Sequence, residues 1–250
     1  MTIEDAEHLS PDQREAIIAS YPPHERDART KGIPALGSGR VFPVADDEIT
    51  TPPFAIPDHY ARIGALDFGY DHPTAAVSLA HDRDADIVYL SHCYRVKERT
   101  PVHHAAALKP WGKKLPWAWP HDGFRRSGRG EPGQASLPLK DEYKGHGLNM
   151  LPHRAQFKDG SNGVEAGIML MLERMETGRF KVFDNCLDWF KEFRQYHRKD
   201  GIIVKDRDDL MDATRYAIMC LRFAKPIREK EYDDPYDDDD GHEEHNWMTA

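Results

Sequence analysis

Apolar and polar positions fall into blocks along this chain, and the blocks predict its elements. In the segment RIGALDFG a nearly continuous apolar run from Ile63 to Phe68 closes on Asp67-Phe68-Gly69, the pattern of a buried central strand. Ala75 to Ala80 and Ile87 to Val96 read as two further strands joined through the polar turn His81 to Asp86, which gives a three-strand meander. Pro101 to Leu108 suits a helix with proline in its first turn, and Trp117 to Trp119 a short strand running into Pro120-His121-Asp122-Gly123. Phe124 to Ser136 is rich in glycine and arginine and reads as a loop, followed by a helix around Leu139 to Gly145 and a short strand near Asn149 to Leu151. Val164 to Thr177 is periodic as a helix, with Ser161 or Asn162 as its cap and Gly178 as its stop, and Phe180 to Phe183 is a short strand. Cys186 to His197 forms a helix with an aromatic face of Trp189, Phe190, Phe193 and Tyr196, a spacing that points to core. A last helix runs from about Asp208 to Phe223.

Strands followed by alternating helices and strands predict an α/β layered domain over residues 59–225. Before it, residues 1–58 hold a short helix from Pro11 to Ala19 and then a proline-interrupted chain that reads as a linker. After it, residues 226–250 are expected to form a disordered acidic tail.

Composition changes this picture only in part. A 250-residue chain that is 39% hydrophobic can bury one substantial core. No stretch approaches the roughly 20 apolar residues of a membrane helix, and the N-terminus has no signal-peptide pattern, so the expectation is a soluble intracellular protein. Cys93, Cys186 and Cys220 stand alone, without the paired spacing of a zinc or redox site. A net charge of -9 argues against a nucleic-acid partner until its distribution is read: residues 226–250 carry ten acidic and two basic side chains, whereas Arg95 to Gly160 carries 13 basic against six acidic.

Three aspartates fall where a sheet and a packing helix could bring them together: Asp67 on the first strand, Asp122 beyond a later strand, and Asp212 on the final helix. Clustered carboxylates repel one another unless a cation neutralises them, and hard divalent ions such as Mg2+ and Mn2+ prefer oxygen ligands. Such a triad suits two-metal phosphodiester hydrolysis, which requires no protein nucleophile. Asp209 shares a helix face with Asp212 and is the substitute ligand, while Asp206, Asp208 and Asp209 also suit a helix first turn for reasons of capping and dipole.

At these residues the sequence resembles the nuclease domain of the large terminase subunit of tailed double-stranded DNA bacteriophages. The likeness is carried by ARTKGIPALGSGRVFPV, ALDFGYDHPTA, WPHDG, GSNGVEAGIMLMLERMETGRFKVF and DDLMDATRYA, and spans roughly residues 25–225. It implies a ribonuclease H-like fold, with a mixed central sheet flanked by helices. It also implies metal-dependent cutting of concatemeric viral double-stranded DNA by a phage-encoded protein in the host cell cytoplasm. The family's metal carboxylates fall on Asp67, Asp122 and Asp212, with two divalent ions, Mg2+ or Mn2+, as cofactors. The implied partners are DNA, a terminase ATPase domain, the portal and the small terminase subunit. Residues 1–58 would then be the linker from an ATPase domain, since this chain has no G-x-x-x-x-G-K-[ST] phosphate loop.

Other motifs compete less well. Asp67-Phe68-Gly69 is also a kinase triplet, but no strand lysine or H-R-D loop accompanies it. Gly128, Gly130 and Gly133 match G-x-G-x-x-G but sit in the arginine-rich loop with Pro132 among them. That loop and the helix after it offer Arg125, Arg126, Arg129, Lys140 and Lys144 as DNA-phosphate contacts. His103 and His104 lack companion ligands, and His121 could orient a water or phosphate beside Asp122. The competing functional class is a non-catalytic docking module between a packaging motor and its portal or small subunit, which would have no use for the three carboxylates.

Overall fold

The structure, a computed structural model, describes residues 9–21, 30, 39–126 and 137–227. The acidic tail beyond Ile227 and most of the arginine-rich loop, Arg129 included, lie outside the described residues. In chain order the elements are α1 (Pro11–Ser20), the single turn α2 (Asp46–Ile49), β1 (Thr50–Thr51), β2 (Ala61–Asp67), β3 (Thr74–Asp82), β4 (Ile87–Val96) and α3 (Pro101–Leu108). They continue with β5 (Pro116–Ala118), α4 (Leu139–Gly145), β6 (Asn149–Met150), α5 (Val164–Glu176), β7 (Phe180–Phe183) and α6 (Leu187–Gln195). The hairpin β8 (Arg198–Lys199) and β9 (Ile202–Ile203), α7 (Asp209–Met219) and β10 (Lys225–Pro226) complete the order.

Apart from the β8-β9 hairpin, which pairs only with itself, the described strands form one mixed sheet in the order β1-β7-β4-β3-β2-β5-β6, with β10 paired antiparallel to the start of β2. The β2-β3-β4 meander is antiparallel, and parallel pairs flank it: β5 beside β2, and β7 beside β4. Side chains alternate across β2, so Ile63 and Ala65 enter one core with α5, α6 and α7, while Leu66 enters a second with α3, α4, Trp117 and Tyr143. Gly64 is required by the β2-β5 pairing, because a Cβ there would stand 2.6 Å from the Trp117 ring. Burial of β2 on both faces explains its unbroken apolar pattern.

The structure moves the domain boundary. Residues 40–51, read from sequence as linker, belong to the packed body: Phe42 and Ile49 are fully buried, and β1 pairs in parallel with β7. Phe42 stacks on Phe193 with centroids 5.9 Å apart and tilts against Tyr196, and the Val41 N–H donates to the Tyr196 carbonyl at 3.0 Å. Proline marks where regular structure stops, but it does not prevent an irregular chain from filling a groove with its apolar side chains. The aromatic face of α6 is core as expected, with Trp189, Phe190, Phe193 and Tyr196 all buried. The first residue before α5 is Gly163, with no side-chain capping bond, so neither Ser161 nor Asn162 serves as the cap. Among the described residues no helix is long and apolar enough to cross a membrane.

Candidate functional site

Asp67 closes the central strand, opposite Ala75 of β3. The chain then turns sharply under the control of Thr74: the Gly69 N–H donates to the buried Thr74 hydroxyl at 3.2 Å, and that hydroxyl donates back to the Gly69 carbonyl at 2.8 Å. A Cβ on residue 69 would stand 2.5 Å from the Pro73 carbonyl oxygen, so the turn holds only glycine. Among the described residues the Asp67 side chain makes no hydrogen bond and no ion pair. Burial pushes its carboxyl well above the ordinary range, and the charges of Asp212, Asp209 and Asp208 push it further, against an opposing pull from Lys205. The sheet thus presents an unpartnered carboxyl at the edge of an acidic group.

That group sits on α7, which lies across β2 and β3. Asp209 and Asp212 are both buried, and each carboxylate has a basic partner. Asp212 Oδ1 accepts from Arg215 at 3.0 Å and 3.2 Å, and its Oδ2 accepts from Lys205 Nζ at 3.0 Å. Lys205 Nζ also lies 2.8 Å from Asp208 Oδ2, and the lysine's charge is reinforced because these two carboxylates outweigh the cost of its burial. Asp209 Oδ2 accepts from Arg95 of β4 at 3.0 Å. Burial raises the Asp209 carboxyl even so, although Arg95 opposes the shift.

Capping at this helix differs from the sequence expectation. Asp208 occupies the N-cap position but makes no capping bond, its carboxylate being taken by Lys205. The free N–H of Leu210 is instead capped across space by Glu192 of α6, whose Oε2 accepts it at 2.7 Å while Oε1 meets Arg95 at 2.5 Å. Burial drives the Glu192 carboxyl up to about 8 in spite of both partners. A second tie joins the same helices: the buried Thr214 hydroxyl donates to the Leu210 carbonyl at 2.7 Å and accepts the Trp189 indole N–H at 2.9 Å.

Asp122 lies in a 3-10 turn, His121–Phe124, after β5, the parallel neighbour of β2. Parallel pairing sets Asp67 and Asp122 beyond the same ends of adjacent strands. Asp122 is half exposed and bonded to Arg125 at 3.0 Å, and it is not one of the charges that dominate the Asp67 carboxyl. With Phe68, Gly69, Tyr70, Arg99 and Arg125 it lines a cavity of ≈ 340 Å³ on the side of the turn that follows Asp67.

The predicted basic contacts divide. Arg125 and Arg126 are exposed on the rim, where the Arg125 carbonyl accepts the Leu139 N–H and Arg126 bridges to Pro138. Lys140 pairs with Asp141 at 2.7 Å and lies 5.8 Å from the Trp119 ring, and Lys144 is exposed. His104 is buried and bonded to the Tyr94 hydroxyl at 2.8 Å, and His121 packs edge-on against Phe124. Sequence reading passed over Arg95, Glu192, Lys205 and Arg215. Only Glu192 carried a local signal, a lone acid on the aromatic face of α6.

The donor set suits a hard divalent cation: every candidate atom is a carboxylate oxygen, and the unpartnered Asp67 carboxyl lies among like charges. Among the described residues no three acidic, histidine or cysteine side chains converge to the spacing of a formed metal centre. The α7 carboxylates close on Lys205, Arg215 and Arg95 instead.

Comparison with known proteins bears on this geometry. Residues 64–221 match the terminase RNaseH-like domain family, and residues 1–49 match the N-terminal family of the T4-type terminase large subunit. The terminase large subunit of Salmonella phage P22 is 49% identical over 231 residues, which is 92% of this chain and 45% of that protein. The chain therefore spans about half the length of the curated relatives it matches. The solved P22 large terminase nuclease domain aligns with TM-score 0.70 and 44% identity, over 78% of this chain and 98% of that one. The large terminase nuclease domain of bacteriophage SPP1, solved with bound Mn, shares the fold at 20% identity and TM-score 0.51, over 67% of this chain and 93% of its own.

Proposed function

The chain belongs to the terminase RNaseH-like domain family, and on that premise we propose that it is a metal-dependent endonuclease that cuts concatemeric viral double-stranded DNA during genome packaging. The observation that carries this reading is the buried, unpartnered Asp67 carboxyl at the end of the central strand, against which the helix bearing Asp209 and Asp212 packs and whose charge state the α7 acids influence. It occurs in a chain 44% identical to a large terminase nuclease domain.

In this reading Asp67, Asp122 and Asp212 hold two divalent ions, Mg2+ or Mn2+, with Asp209 as a neighbour. When bound, the ions supply an acidified water and neutralise charge at the leaving oxygen. The protein's own contribution is to fix the carboxylates: Thr74 sets the turn after Asp67, Glu192 and Arg95 hold the first turn of α7, and Arg215 holds one oxygen of Asp212. Arg125, Arg126, Arg129, Lys140 and Lys144 would contact phosphates, which carry no base information, so cutting is largely independent of sequence. A terminase ATPase domain, the portal and the small subunit are the proposed partners.

Plasmid cleavage with Mn2+, Mg2+ or EDTA tests this, using wild type and the folded variants Asp67→Asn, Asp122→Asn and Asp212→Asn. Each variant should lose roughly 100-fold or more, the scale on which one group serving transition-state charge is felt. Metal-independent cutting, or full activity in any of the three, refutes the assignment.

A further inference from the structure

The acids of α7 are matched by cations of unequal permanence. Arg215 is fixed: its side chain is 4% exposed, and its stem lies against Gly167 of α5 so closely that a Cβ there would stand 2.6 Å from Arg215 Cγ. Arg95 is held between Glu192 and Asp209. Lys205 is different. It sits on the loop between β9 and α7, its side chain is 56% exposed, and its ammonium bridges Oδ2 of Asp208 and Oδ2 of Asp212 at 2.8 Å and 3.0 Å. Its charge also reaches Asp67. With Oδ1 of Asp212 committed to Arg215, Oδ2 is the oxygen left for an ion, and Lys205 holds it.

A lysine ammonium is a compact, hydrated point charge on a flexible stem, unlike the planar two-point clamp of arginine. A divalent cation offers twice its charge and takes several oxygens at once.

We propose that Lys205 is a resident counter-ion of the metal site: it holds Asp208 and Asp212 together in the metal-free protein and must leave for a divalent ion to bind. The inference rests on the reading of Asp67 and Asp212 as metal ligands. Removing the ammonium then strengthens metal binding, the opposite of what loss of a structural or DNA-contacting lysine does.

The test is Mn2+ titration by calorimetry on the full chain, without DNA, for wild type, Lys205→Met, Lys205→Arg and Lys199→Met. Lys199→Met removes the same charge from the exposed end of the adjoining hairpin. Lys205→Met should bind Mn2+ about tenfold more tightly, since two partly exposed ion pairs no longer compete. Lys199→Met should match wild type, and Lys205→Arg should bind no more tightly than wild type. Equal or weaker binding by folded Lys205→Met, or equal tightening by Lys199→Met, overturns the counter-ion role while leaving the metal site standing. No Mn2+ binding by any of the four removes the metal site and the inference together. Binding by Lys205→Met alone supports both. A measurement on unaltered protein covers the case of a misfolded variant. Titration with Mg2+ should shift the Lys205 side-chain nitrogen resonance to that of a solvated lysine, and an unmoved resonance at saturation overturns the proposal.

Discussion

Arg215→Met separates the electrostatics of α7 from its packing. Methionine keeps the unbranched stem that lies against Gly167 but strands Asp212, whose side chain is 12% exposed, beside the vacated position. Removing one partner of a buried pair costs about 3–5 kcal/mol, because an uncompensated charge is left behind. Asp212 retains Lys205, and a half-exposed pair of that kind is worth up to about 1 kcal/mol. The expected loss is therefore about 3 kcal/mol, or about 6–12 °C in Tm for a domain of this size. Urea and thermal unfolding in EDTA would measure it for wild type, Arg215→Met, Asp212→Asn and the double variant. Neutralising Asp212 removes the stranded charge, so the double variant should be more stable than additivity allows by at least about 1 kcal/mol. An Arg215→Met protein within about 0.5 kcal/mol of wild type, or strictly additive losses, would refute the buried-pair argument.

Two further outcomes follow from α6. The Glu192 carboxyl stands at about 8 against an ordinary 4.5, so the folded state keeps a proton there that the unfolded chain releases. Stability from this group is complete below pH 4 to 5 and is lost as pH rises through about 8, with a slope of up to about 1.4 kcal/mol per pH unit. Glu192→Gln should flatten the fall in unfolding free energy between pH 5 and 8, and an unchanged profile would count against the buried carboxyl as its source. Thr214→Val preserves shape but leaves the Trp189 indole N–H buried without its acceptor. It should cost about 1–3 kcal/mol in urea unfolding, and a neutral effect would show that the bond carries no weight.

Much of this was legible from pattern alone. The β2-β3-β4 meander and helices α3 to α7 announce themselves through periodicity and breakers, because each buries a whole face. Asp67 was legible for the same reason, as a charge at the end of a run that has to be buried. What escaped was set by tertiary contact. Lys205, Arg95 and Arg215 look like ordinary surface cations until the fold sets them against the α7 acids. The hairpin β8-β9 had a local signal, the dipeptide Asp200-Gly201, and both residues do adopt positive φ, 51° and 79°. Its strands are two residues each, too short for alternation to register. Asp122 remains the least integrated of the three carboxylates, since a short 3-10 turn and an ion pair with Arg125 fix it rather than the sheet itself.

The placement of Phe42 bears on how this domain can be cut from a longer chain. An excision beginning at residue 59, where the sequence pattern alone would start the domain, would not trim a tether. It would strip β1 from the sheet edge and lay open the aromatic side of α6, where Phe42 stacks on Phe193. Phe193 is the sequence neighbour of Glu192, the residue that caps α7. A unit that keeps this packing therefore includes the chain from Gly39 onward, whose carbonyl accepts the Arg198 N–H, and the segment that arrives from the N-terminal side is masonry for the acidic helix.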